Sequence, residues 1–228
     1  MVWFMEGMCF LPTFLVVWSS STFIVSYIIA VSRRDVDVIF PYIRMLCIAA
    51  FSTMYTEYKF VEGVLQKTGA NYSKCNKASF VLGIISCLGM CLVATFQVTT
   101  ITIVHDVGAF VFFISGVVYA IIQTVIGFRI RPYGSTEYMC LLRVVFTAVA
   151  AIAVVPTIVC ALLSGNKPSL HWDSSDKGYT LHITSAVCEW VTAFSFVFFF
   201  LTYIQEFRHF KLDLSVHLSE YPRLLQPE

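Results

Sequence analysis

Charged side chains are scarce in this chain of 228 residues. They make up 13% of it, whereas a soluble domain usually carries about 25%. Residues 10–31 contain no charged residue, and Val107–Phe128 is uncharged between Asp106 and Arg129. A helix of about 20 apolar residues spans the roughly 30 Å hydrocarbon core of a bilayer. The scarcity excludes most soluble enzymes, and a net charge of +1 gives no reason to expect a nucleic-acid partner.

Signatures of catalysis are also missing. The chain has no Gly-x-Ser-x-Gly elbow, phosphate loop or dinucleotide fingerprint. A zinc hydrolase needs three or more converging ligands, yet His209 and His217 lie near the C-terminus and no His-x-x-x-His pair is present. We therefore predict a protein that is not an enzyme, with no catalytic residue, cofactor or metal site.

The apolar runs predict an all-α fold, a polytopic membrane bundle with six transmembrane helices in residues 1–210 and a cytosolic tail in residues 211–228. The expected spans are residues 10–31, 38–56, 78–96, 107–128, 144–163 and 179–204. Only Glu6 is charged before the first span, so the basic region of a cleavable signal peptide is missing. We interpret span one as an uncleaved anchor.

Span two is the exception. Met45–Thr56 is apolar over 12 residues, which make about 18 Å of helix. Extending it backward through Val36–Ile43 brings in Pro41 and Arg44, and an arginine is costly at mid-membrane. We therefore predict that the second span is short, broken or re-entrant.

Lysine and arginine in the loops predict the orientation. With six spans, nine basic residues fall on the side of both termini and five on the other. The nine are Lys59, Lys67, Lys74, Lys77, Arg129, Arg131, Arg208, Lys211 and Arg223, and the five are Arg33, Arg34, Arg44, Lys167 and Lys177. Both termini are therefore expected in the cytosol. The glycosylation sequon Asn71-Tyr72-Ser73 would then be cytosolic and unused, or lumenal if span two does not cross.

None of the eight cysteines lies in the two expected lumenal loops, residues 32–44 and 164–178. A disulfide-stabilised ectodomain is therefore not expected. Cys75 and Cys140 lie at cytosolic boundaries and are candidates for acylation, but small buried cysteines are the favoured interpretation of most of the set.

Ionisable residues within spans are candidates for function. Glu189 lies near the middle of span six, and Asp106 and His182 begin spans four and six on the lumenal side. Glu189 is interpreted equally well as a structural hydrogen-bonding group or as a site for a proton or ligand. In the second case Asp106 and His182 would lie at the lumenal entrance to the site. Asp106 alone is better interpreted as a helix N-cap, and Arg143 as an interfacial anchor.

Small residues recur in spans three and four, where they allow two helices to approach closely. They are Gly83, Ser86, Gly89, Ser115 and Gly116. We interpret them as packing residues.

The C-terminal tail carries two overlapping sorting patterns. Glu220 stands four positions before Leu224-Leu225, and Tyr221 stands three before Leu224. Clathrin adaptor complexes bind both patterns as extended cytosolic peptides, and Pro222 disfavours a helix there. The tail therefore predicts adaptor binding and delivery to endosomes or lysosomes.

Ordered matches in nearly every segment show that the chain resembles the damage-regulated autophagy modulator (DRAM) family, within the Frag/DRAM/Sfk group of six-span proteins. They include residues 7–12, 17–20, 40–43, 54–55, 105–109, 116–119, 171–172, 176–179, 189–190 and 200–205. Family members continue after the equivalent of Pro41-Tyr42-Ile43 with a polar loop and the first half of span two. In this chain Arg44-Met45-Leu46 follows directly, so that segment is missing.

The resemblance implies a lysosomal or late-endosomal membrane protein that promotes or modulates autophagy, with a link to stress-induced cell death in some members. It would act without catalysis, through membrane lipids or autophagy partners that the sequence does not name. The alternatives are a lipid- or proton-handling protein that uses Glu189, or an accessory of lipid remodelling by analogy with the Frag branch.

Overall fold

A computed structural model describes residues 8–33, 40–96, 101–164 and 174–208 of the chain. Within these ranges every regular element is a helix, which confirms the all-α prediction. The helices are α1 (Phe10–Arg33), α2 (Phe40–Thr68), α3 (Ser73–Thr95), α4 (Thr102–Arg129), α5 (Glu137–Ser164), α6 (Tyr179–Leu201) and the short α7 (Ile204–Arg208). The predicted sorting signal of the tail lies outside the described residues.

Four segments are long and apolar enough to cross a bilayer: α3, α4, α5 and Tyr179–Arg208, which joins α6 to α7. In α1 the described apolar stretch is Phe10–Ser21. The bundle is inside-out relative to a soluble protein, because the buried residues of α3 are small or polar while many large apolar side chains face outward. Ile152, for example, is 74% exposed. The chain is a multi-pass membrane protein.

Helix α2 is unbroken, so the broken alternative for the second span is wrong, whereas the predicted short apolar part is present. The helix runs without interruption through 29 residues, with Pro41 in its first turn, where proline is tolerated. Its composition changes along its length, because the apolar stretch ends at Thr56 and charged residues follow. The polar half stays helical because Val61 and Leu65, one turn apart, pack against Ile126 of α4 and Ile130, which follows α4. The apolar part is short, but the helix is not.

Each helix from α1 to α6 packs against the next one in the chain, and α6 also packs against α1, so the bundle closes on itself. The connection between α2 and α3 is only residues 69–72, which makes these helices antiparallel neighbours. Gly69 ends α2 with a positive φ of 68°, the left-handed conformation that favours glycine at a helix end. At the other end of the chain, the Met8 backbone N–H donates to the Phe207 carbonyl over 2.9 Å and ties α7 to the start of α1.

The predicted close approach of spans three and four is confirmed. A methyl group added to Gly89 on α3 would lie 2.6 Å from the backbone nitrogen of Phe112 on α4. One added to Gly108 would lie 3.1 Å from the Gly89 carbonyl oxygen. The Ser86 hydroxyl uses this proximity to donate to the Phe112 carbonyl over 3.0 Å. Small residues therefore let the two backbones touch.

Gly89→Ala should destabilise the bundle, because the new methyl group meets the α4 backbone, which cannot move aside like a flexible side chain. We expect a loss of about 1–3 kcal/mol, the usual range for an overfilled core, measured by unfolding of purified protein in detergent. Gly63→Ala in α2 is the matched control, because a Cβ there has no neighbour within 4 Å. Equal stability of the two variants would contradict the close contact.

Candidate functional site

Arg143 is completely enclosed by the bundle, which corrects its interpretation as an interfacial anchor. It is 1% exposed and is the largest of the fully buried side chains in the described residues. It lies six residues after Glu137, the first residue of α5, and thus about 9 Å into the helix. Space is available because α4 carries Gly127 opposite it, where an added Cβ would lie 3.1 Å from Nη1.

Three groups at the end of α6 and in α7 engage the guanidinium of Arg143. Nη2 donates to Oε1 of Glu206 over 2.6 Å, and Nε donates to the hydroxyl of Thr202 over 2.8 Å. The guanidinium carbon lies 4.3 Å from the ring centroid of Tyr203, within the range of a cation–π contact. A planar group with a fixed fork of donors suits such a site. Arg143 thus fixes α5 to the junction of α6 and α7.

The junction between α6 and α7 provides these partners through its local geometry. Thr202 ends α6, and its hydroxyl donates to the Phe199 carbonyl over 2.7 Å while it accepts from Arg143. Tyr203 and Phe207 stack with ring centroids 5.8 Å apart, and both are fully buried. The interruption between α6 and α7 therefore directs the side chains of Tyr203 and Glu206 toward the interior of the bundle.

A second carboxylate, Glu57 of α2, lies in the same buried region. It is 1% exposed and interacts electrostatically with Glu206 and Arg143. Tyr119 of α4 and Tyr203 also interact with the Glu57 carboxylate. We call these five residues the buried ionic cluster. Within the described ranges, Oε2 of Glu57 has no hydrogen-bond partner.

Polar contacts continue from the cluster toward the α2–α3 turn. The Gln123 amide of α4 donates to the Ser79 hydroxyl over 2.9 Å, and Ser79 donates to the Asn76 carbonyl over 3.0 Å. The Asn76 side chain donates to the Tyr58 carbonyl of α2 over 2.9 Å. These bonds link three helices near the end of the bundle where α2 and α4 finish and α3 begins.

Glu189, proposed from the sequence as an intramembrane site, is exposed on the surface of the bundle. Its electrostatic partner is His105 of α4, whose Nδ1 lies 2.9 Å from the Phe96 carbonyl oxygen. Asp106 is exposed and His182 is partly buried in the first turn of α6. Neither Glu189 nor Asp106 forms an ion pair with a basic side chain of the described residues. A role of Glu189 in binding a proton or ligand stays a prediction.

The interpretation of Asp106 as an N-cap is wrong. Helix α4 begins at Thr102, and Ile101 occupies the N-cap position without a side-chain cap. Asp106 is thus the fifth residue of the helix. The apolar residues Ile103 and Val104 before it continue the helical pattern, so the helix starts one turn earlier than the charge boundary indicated.

Cysteines differ in their accessibility. Cys9, Cys87 and Cys140 are buried, as expected for small packing residues, whereas Cys75 is exposed at the start of α3. Burial removes Cys140 from the acylation candidates. Among the described residues no group of three histidine, cysteine or acidic side chains is placed to hold a metal ion.

Comparisons with known proteins fit a membrane bundle of this kind. Residues 44–210 match the family model described as the Frag1/DRAM/Sfk1/Cwh43P N-terminal domain. The chain is 40% identical to DNA damage-regulated autophagy modulator protein 1 of Homo sapiens, over 96% of this chain and 99% of that protein. The chain belongs to the DRAM family. No solved structure matches it.

Two further relatives show how far the likeness extends. DNA damage-regulated autophagy modulator protein 2 of Homo sapiens is 38% identical over 96% of this chain and 91% of its own length. The protein named modulator of macroautophagy TMEM150B of Danio rerio is 27% identical over 87% of this chain and 85% of its own length. These names describe modulators of autophagy, not enzymes.

The comparisons also bear on the missing segment after Ile43. The alignments to the two human relatives extend over 237 and 243 residues, more than the 228 residues of this chain. These relatives therefore carry residues that this chain lacks. The match to the family model begins at Arg44, the position at which the sequence resemblance places the gap.

Sequence reasoning missed Glu57 and Glu206. Glu57 follows the apolar stretch of α2 directly, and Glu206 follows the expected end of span six at residue 204, so both lie just outside the spans in which ionisable residues were sought. A helical signal was present, because Thr53, Thr56 and Glu57 recur at spacings of three and four, as one buried face requires. The residues of α5 and α7 that interact with this face could be identified only from the tertiary structure.

The single variant Arg143→Met should lose more stability than the double variant in which both Arg143 and Glu206 are replaced by apolar residues. Removing one partner of a buried pair leaves an uncompensated charge and typically costs about 3–5 kcal/mol. The double variant Arg143→Met, Glu206→Leu should lose less, because no charge of the pair stays buried. Unfolding in detergent measures both.

Glu137→Gln provides the matched control for the buried pair. It breaks the Arg131–Glu137 ion pair at the surface, which is 2.8 Å long, and should change stability by about 0–1 kcal/mol. If Arg143→Met were as mild as this control, the buried pair would not fasten the helices.

Proposed function

We propose that this protein modulates autophagy from the lysosomal or late-endosomal membrane. The observation that carries the proposal is the 40% identity, over 96% of the chain, to a protein named as an autophagy modulator. The likeness covers the bundle and is not confined to one short motif. It is shared by a second human relative with the same type of name.

The proposed mode of action is non-catalytic, through protein partners or membrane lipids. The architecture supports it in two ways. Large apolar side chains cover the outer surface of the helices, which suits contact with lipid. The buried ionic cluster joins α5 to α7 through a 2.6 Å ion pair, and Glu57 of α2 interacts electrostatically with the same pair; such a network favours a rigid scaffold over an open reaction site.

Delivery to the lysosome is assigned to the tail. An acidic dileucine pattern ends at Leu225, and a tyrosine pattern overlaps it. The tail begins just after α7, which the Glu206 and Phe207 contacts hold against the bundle. Clathrin adaptor complexes are the proposed partners of this peptide.

Replacing Leu224 and Leu225 by alanine should redistribute the protein from lysosomes to the cell surface, because the adaptor pocket loses both apolar anchors. Fluorescence overlap with a lysosomal marker and surface biotinylation measure the change. Replacing Leu212 and Leu214 by alanine is the matched control, because these leucines lie in the same tail outside both patterns.

Autophagic flux, measured as cargo turnover with and without a lysosomal inhibitor, tests the function itself. Expression of the wild-type chain should change flux, and the Leu224, Leu225 variant should lose most of that change. Correct lysosomal delivery without any effect on flux would contradict the proposed function.

A cytosolic tail requires that the α2–α3 turn be cytosolic too, because α3 to α6 alternate in direction. Asn71 lies exposed in that turn, so it reports the topology directly. Asn71→Gln should leave the electrophoretic mobility unchanged, and treatment of the wild type with an N-glycosidase should have no effect. A glycan at Asn71 would place the turn in the lumen and overturn the assigned orientation.

A further inference from the structure

The buried ionic cluster contains more negative than positive groups. Glu57 and Arg143 are each 1% exposed and Glu206 is 5% exposed. If all three were ionised, two carboxylates would face one guanidinium in a region closed to water. An excess charge buried in this way is so costly that the group normally becomes neutral.

The hydrogen bonds show which carboxylate is compensated. Arg143 donates from Nη2 to Glu206 over 2.6 Å and from Nε to Thr202 over 2.8 Å. The plane of its guanidinium lies over the ring of Tyr203. Glu206 thus has a direct, charge-assisted partner. Glu57 forms no salt bridge within the described residues. Oε2 of each carboxylate has no hydrogen-bond partner there, so the ion pair with Arg143 is what distinguishes Glu206 from Glu57.

Among the residues that the structure describes, no second cation acts on Glu57. The charged groups that act on it are Arg143 from α5 and Glu206 from α7. Tyr119 from α4 and Tyr203 face it as neutral phenols. The hydrophobic core that contains Tyr119 and Tyr203 also contains the thiols of Cys87 of α3 and of Cys9, which precedes α1. Within the described part of the chain, a bound proton is the remaining way to neutralise Glu57.

We propose that Glu57 is a proton-binding site and that its bound proton lets α2 pack against the Arg143–Glu206 pair. The ligand is one proton, held as a neutral carboxylic acid in the closed bundle. Ionisation of Glu57 would add a second negative charge that repels Glu206 and would oppose the burial of this part of α2. The site differs from the Glu189 region, and it goes beyond the proposed function in autophagy.

Infrared difference spectroscopy of the purified full-length protein at neutral pH tests the site. A protonated carboxylic acid absorbs at a higher carbonyl frequency than a carboxylate, and the two bands are well separated. The spectrum of the wild type minus that of Glu57→Gln should contain a carboxylic acid band. The matched control is Glu62→Gln on the same helix, where the acid is ion-paired with Lys59 at 2.8 Å; it should remove a carboxylate band instead.

Stability of the variants provides a second readout. Glutamine has the shape and charge of protonated glutamate, so Glu57→Gln should fold, with a melting temperature within about 4 °C of the wild type. Loss of a carboxylate band in Glu57→Gln would show that Glu57 is ionised and would overturn the proposal. Failure of Glu57→Gln to fold would overturn it as well, because a neutral isostere could not then replace the native group.

Discussion

A cation inside a membrane protein has to be surrounded by its partners, and Arg143 organises one end of this bundle for that reason. Its guanidinium collects a carboxylate, a hydroxyl and an aromatic face from Thr202, Tyr203 and Glu206. Thr202 and Tyr203 lie between α6 and α7, and Glu206 lies in α7. The change of direction after α6 therefore places all three partners around the buried cation. Because Phe207 then accepts a backbone hydrogen bond from Met8, the same interaction brings both ends of the described chain together.

The rest of the bundle is held differently, because lipid offers no hydrophobic driving force between helices. Helices α3 and α4 pack through Gly89 and Gly108, whose lack of side chains brings the two backbones into contact. Hydroxyls then donate across the interface, as Ser86 does to the Phe112 carbonyl. Dense contact and a few short hydrogen bonds provide the stability that apolar burial provides in water.

The sequence predicted the helices well and the buried charges poorly. Uncharged runs of membrane length have one physical explanation, so α3 to α6 could be placed from composition, and the small residues of α3 indicated its packed face. An isolated charge near the end of a span has two explanations, an anchor at the interface or a member of a buried network. Arg143 was assigned to the first because its partner Glu206 lies 63 positions away in the chain, beyond the reach of any local pattern.

Helix starts were predicted less well than helix cores for a related reason. Asp106 marks a change in charge, and a capping residue often stands at such a change. The backbone continues one turn further, since Thr102 to His105 form helix as readily as the residues after them. A charge boundary thus reports where the membrane begins, which is not the place where the helix begins.

Helix α2 shows how a segment with few apolar residues keeps its place in a membrane bundle. Its inward face at this level is polar, with Thr53, Thr56 and Glu57 all buried. The hydroxyls of the two threonines donate hydrogen bonds to the carbonyls one turn back, Ala49 and Ser52, over 2.8 Å. Glu57 has no such local solution, since a carboxylate accepts hydrogen bonds and the helix backbone offers it no free donor there. Of the charged groups that act on it, Arg143 of α5 attracts its negative charge and Glu206 of α7 repels it, so the burial of this part of α2 depends on the balance of charge in the cluster.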